Sequence, residues 1–113
     1  MRLPFDGQLY LVRFLHFVTP EAEVQALCAA EKWPIITHAT SCQLALINKV
    51  SASAEEQTIQ LAESTAFCSL LDQFERRRGR MISLGRALKQ LWPTDQIRRK
   101  RFVRAVRQEE KSR

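Results

Sequence analysis

The chain has 113 residues, 45% of them hydrophobic, and a formal net charge of +6. That is enough apolar material for one self-supporting domain and too much for a disordered tail. Cys28, Cys42 and Cys68 are odd in number and form no C-x-x-C pair, which speaks against a disulfide framework and for a reducing, cytoplasmic setting. Gly7, Gly79 and Gly85 are the only glycines, too few for a many-turned β fold.

From these limits and the periodicities below, the expected fold is all-α. It is a compact single-domain bundle of about five to six helices, ending in a basic C-terminal helical pair. Residues 1–78 form its acidic core and partner-docking part, 79–108 the basic pair, and 109–113 a solvated tail.

In chain order, Asp6 is placed to cap a first helix over roughly 7–18, with Arg13 and His16 on its narrow polar side. A strand there would carry Arg13 and His16 on opposite faces and be apolar on both, so helix is favoured over a doubly buried strand. Thr19-Pro20 signals a second helix, which stops near Trp33 because Pro34 disfavours the α conformation before it. A third helix runs from Thr40 or Ser41 to about Val50, with Cys42, Leu44, Leu46 and Ile47 clustered on it. Ser53 and Glu56 form a capping box for a fourth, along which Ile59, Ala62, Ala66, Leu70 and Phe74 step by three or four. Arg76, Arg77 and Arg78 then suit its negative dipole end, and Gly79 its left-handed close. Ser83 caps a short fifth helix that Trp92-Pro93 ends. Thr94 and Asp95 cap the last helix, which runs to about Gln108.

Charge is divided unevenly along the chain. Residues 1–72 hold four basic and eight acidic side chains, whereas 73–113 hold fourteen basic and four acidic ones, a local net charge of +10. Such a block calls for a polyanion, and nucleic acid is the commonest. On the last helix Lys100, Arg101, Arg104 and Arg107 share one arc, flanked by Arg98 and Arg99, with Phe102, Val103 and Val106 opposite. Arg76, Arg77, Arg78 and Arg80 supply a second group of phosphate contacts. Residues 83–106 also follow helix-turn-helix order, although Leu91 stands near the turn where glycine is common.

Catalytic signals are absent. His16 and His38 are the only histidines, and no glycine-rich phosphate loop, nucleophile elbow or zinc motif occurs. Cys28, His38 and Cys42 make three metal ligands without a fourth, so no metal, cofactor or enzymatic role is expected. The run Leu9–Val18 is too short and too polar to span a bilayer. The functional expectation is therefore a non-enzymatic nucleic-acid-binding protein, foremost a small DNA-binding regulator or accessory protein. Its partners would be DNA or RNA, with a homodimer or larger assembly through the acidic half. A second reading is a structural subunit that tracks a backbone without reading sequence. Such a subunit is comparable in size and helix content to the small helical subunits of CRISPR effector complexes. A third is a protein-interaction module whose basic half binds an acidic surface.

Overall fold

The structure, a computed structural model, describes residues 1–18, 22–31, 36–49, 56–69 and 76–112. It is not an all-α bundle. Four strands, β1 (Arg2–Phe5), β2 (Gln8–Val18), β3 (Ile36–Lys49) and β4 (Glu56–Ser69), form an antiparallel sheet in sequence order. Three helices accompany it: α1 (Ala22–Ala30), α2 (Arg76–Leu91) and α3 (Gln96–Lys111).

The expected first, third and fourth helices are thus strands, and each error has a local cause. Asp6-Gly7 caps nothing. Both residues take positive φ, 49° and 76°, as a two-residue type I′ hairpin demands, and Asp-Gly is a favoured pair there. The turn pairs Phe5 with Gln8 and Leu3 with Tyr10. Pro4 lies on the edge strand β1, where its missing N–H is tolerated. In β2, Tyr10 and Val12 are buried beneath the helices while Arg13, Leu15 and Phe17 on the other face are exposed. Arg13 and His16 do lie on opposite faces, as the strand alternative required.

The run Leu44–Ile47 is apolar on both faces, and it lies in the inner strand β3, paired with β2 on one side and β4 on the other. Cys42 and Leu44 face the helices, and Ala39, Ala45 and Ile47 are buried on the opposite side between neighbouring strands. β4 imitates a helix through a bulge. Leu44 pairs with Ala62 and Ala45 with Gln60, so Leu61 is an extra residue that shifts the alternation by one. Ile59, opposite Leu46, and Ala62, opposite Leu44, therefore share a face although three apart. The further step from Ala62 to Ala66 fits either period. Leu70 and Phe74, the remainder of the expected stripe, lie outside the described residues. The likeness in helix content to CRISPR small subunits falls with the bundle.

A helix does follow the Thr19-Pro20 signal, at Ala22–Ala30; Thr19, Pro20, Trp33 and Pro34 themselves lie outside the described residues. Both C-terminal helices pack on one face of the sheet, α2 across β3 and β4 and α3 across β1. Their shared core joins Leu3, Phe5, Tyr10, Val12, Cys42, Leu44 and Ala62 to Leu84, Ala87, Leu88, Phe102 and Val106. At its centre Phe5, Tyr10, Trp92 and Phe102 meet with ring centroids 5.0–6.2 Å apart, most edge to face, a geometry worth about 0.5–1.5 kcal/mol per pair beyond area burial. Trp92 thereby anchors the turn between α2 and α3, beside the proline that prevents their fusion.

Gly79 does not close a helix, and Ser83 does not open one; both lie inside α2. Gly79 sits directly over β3, where an added Cβ would meet Thr40 Oγ1 at 2.5 Å and Thr40 Cβ at 3.1 Å. Ser83 is fully buried and satisfies its hydroxyl by donating back to the carbonyls of Gly79 and Arg80. Among the described residues no helix is long and apolar enough to cross a membrane.

Candidate nucleic-acid interface

α3 is built as its pattern required. Asp95 is its N-cap, and its carboxylate accepts from the Arg98 amide at 3.0 Å. Phe102 and Val106 are fully buried, which turns Lys100, Arg101, Arg104 and Arg107 outward. Lys100, Arg104 and Arg107 stand at i, i+4 and i+7, within about 11 Å along the axis. None of the three has a carboxylate partner among the described residues.

The other arginines of this helix are engaged inside the protein. Arg101 reaches Asp6 Oδ1 at 3.0 Å and lies over the Phe5 ring. Arg98 stacks on Trp92 with its guanidinium 4.2 Å from the ring centroid, and its Nε stands 3.4 Å from Asp6 Oδ2. Arg99 donates to the Trp92 carbonyl. The Asp-Gly turn thus gathers two cations that sequence reasoning had assigned wholly to a ligand. The overlooked signal was Asp-Gly between the alternating runs Leu3-x-Phe5 and Tyr10-x-Val12.

The Arg76-Arg77-Arg78 cluster also stands elsewhere than expected. It forms the first turn of α2, not the last turn of a preceding helix, and all three side chains are exposed. Cations there oppose the helix dipole, at a cost of about 0.3–1 kcal/mol each when unscreened. No acidic residue in that turn offsets them. Arg80, one turn on, pairs with Glu110 at 3.3 Å. The Nε atoms of Arg80 and Arg98 lie at ion-pair distance without the alignment of a hydrogen bond.

The Arg80–Glu110 contact fixes the relation of the two helices. Both residues are far from the connecting turn at 92–95, so α2 and α3 run side by side and antiparallel. Axes crossing at the 90–120° of a helix-turn-helix would leave those positions roughly 30 Å apart. The same contact brings Arg107, one turn before Glu110, to the end of the layer that holds Arg76–Arg80. His16 lies there too, its Nδ1 2.9 Å from Thr40 Oγ1. Burial lowers the His16 pKa below 6.5, and Arg76 and Arg80 lower it further.

The alternative chemistries find little material. The Cys42 thiol is fully buried, and burial pushes it up to about 12, so it stays protonated and unreactive. His38 and Cys42 are four residues apart on one strand, roughly 13 Å, too far to share an ion; the Cys28 side chain lies outside the described residues. Among those residues no group of three or more His, Cys, Asp or Glu side chains is placed to hold a metal. No protein-family model matches this sequence, and no curated protein or solved structure matches it either.

Proposed function

We propose that this is a non-enzymatic, cytoplasmic nucleic-acid-binding protein that holds the sugar-phosphate backbone without reading bases. The row Lys100, Arg104 and Arg107 carries the reading: three exposed cations, unpaired among the described residues, on one side of a rigid helix. The dipole-opposed Arg76, Arg77 and Arg78 add to it, since an anion would relieve their mutual repulsion. The antiparallel helices and the internal engagement of Arg98 and Arg99 favour backbone tracking over a sequence-reading regulator. A recognition helix reads with its N-terminal residues, and here two of those are tied to Asp6 and Trp92. A buried free thiol at Cys42 suits a reducing compartment.

The test is a titration of duplex DNA, single-stranded DNA and RNA at several salt concentrations. Affinity should fall linearly in a log–log plot against salt, and K100Q/R104Q/R107Q should lower the slope by about three, equally for all base sequences. Loss of preference at one base pair would instead revive the regulator. Absence of binding at low salt, or binding indifferent to the triple variant, would overturn the proposal and leave an acidic protein surface as the better partner.

A further inference from the structure

Both C-terminal helices cover one face of the sheet, and the other face carries exposed apolar side chains. Leu15, Phe17 and Phe67 there are 45%, 48% and 55% exposed, in a contiguous region of the kind that marks an interaction surface. At the centre of this face charge is sparse and symmetrically placed. Among the residues of β2, β3 and β4 on this face whose side chains are described, Arg13 and Glu63 are the charged ones; Lys49 and Glu56 pair with one another at the far end of the same face. Arg13 and Glu63 flank Gln43 in a single row: Arg13 pairs with Gln43, and Gln43 with Glu63. Arg13 has no ion-pair partner among the described residues; Glu63 accepts a long hydrogen bond from Ser41, 3.4 Å.

We propose that this face binds a second copy of the chain, face to face, about a two-fold axis running along β3 through Gln43. That operation exchanges the β2 and β4 sides. It places Arg13 over Glu63 of the second copy and Glu63 over its Arg13, so one patch serves both partners. Phe17 and Phe67, both opposite Ala39, are exchanged in the same way. Sheets stacked in this manner lie about 10 Å apart with strand directions within about 30°. At one strand spacing from the axis, that rotation displaces Arg13 from Glu63 by only about 2.5 Å, which two long side chains absorb.

The area is adequate. The strands that overlap, β2, β3 and β4 with 11, 14 and 14 residues, tile on the order of 600 Å² of sheet plane, against about 800 Å² per partner in a standard interface. A face on which the charges of β2, β3 and β4 balance, with Leu15, Phe17 and Phe67 exposed among polar side chains, suits neither a polyanion nor a strongly acidic protein. A second copy meets both the Arg13 and the Glu63 charge at once. The resulting particle has two buried sheets inside and the basic helices on its two outer sides. This inference is independent of the nucleic-acid reading, since its readout contains no nucleic acid.

Sedimentation velocity of the full chain, from micromolar to about 100 µM, tests it. The wild-type chain should run at twice its 13.1 kDa mass. R13E and E63R should each weaken dimerisation by about 100-fold or more, because each sets like charges face to face twice per dimer. Mixed in equal amounts, the two variants should restore the dimer, since both cross-contacts then join opposite charges. A role confined to one chain predicts no such rescue, and circular dichroism checks that each variant is folded. A wild-type monomer at about 100 µM, a larger oligomer, a dimer indifferent to R13E, or failure of the mixture to recover would each overturn the proposal.

Discussion

Two glycines in one helix should respond oppositely to the same substitution. Gly79 and Gly85 both lie inside α2, where alanine is favoured over glycine by about 1 kcal/mol. At Gly85 an added methyl meets nothing within 4 Å, so G85A should stabilise by about 0.5–1 kcal/mol. At Gly79 the methyl would lie 2.5 Å from Thr40 Oγ1 and 3.1 Å from Thr40 Cβ. Thr40 is 1% exposed and is held by strands on both sides. Rotating its hydroxyl away forfeits the contact with His16, about 1 kcal/mol, and still leaves its Cβ in the way. Lifting α2 off the sheet disturbs Leu84 and Leu88. Overpacking of this kind costs about 1–3 kcal/mol. After subtraction of the propensity gain of about 1 kcal/mol, G79A should destabilise by up to about 2 kcal/mol, and its gap from G85A equals the overpacking cost, about 1–3 kcal/mol. Urea unfolding at fixed protein concentration measures both. T40A/G79A should recover part of the loss, since the nearest atom is gone. If G79A matches G85A in sign and size, α2 does not lie on β3 as described.

Asp6 holds Arg98 and Arg101 away from a ligand, and asparagine tolerates the same left-handed turn. D6N should therefore change stability by less than about 1 kcal/mol while raising nucleic-acid affinity at low salt and steepening the salt dependence by about one unit; unchanged binding would refute the masking role. His16 titrates below 6.5 in the fold because of burial, then Arg76 and Arg80. The unfolded chain therefore binds more protons across that window, and stability should fall as pH drops below 6.5. H16Q should flatten the stability–pH curve there; an unaltered slope would show that His16 is not its source.

The chemical character of the C-terminal third was legible in the sequence because it depends on short-range facts. The Asp95 cap, the 3.6-residue spacing of Phe102 and Val106, and the outward cations Lys100, Arg104 and Arg107 all fall within one helix, so neighbours in sequence settle them. The stop at Trp92-Pro93 is local in the same sense. What long-range pairing alone decides was not legible. Residues 40–49 and 56–69 are strands because each satisfies the other's backbone, and a bulge at Leu61 gave β4 the spacing of a helix. The polarity of the Arg76–Arg78 cluster reversed for the same reason: with residues 56–69 a strand, the expected fourth helix is not there for the cluster to close, and the cluster stands in α2, Arg76–Leu91, instead. Asp6, far away in sequence, reaches Arg98 and Arg101 only once β1 packs against α3. Composition and period determine which residues carry charge and which seek burial, whereas the partner each one meets is set by how the sheet closes under the helices.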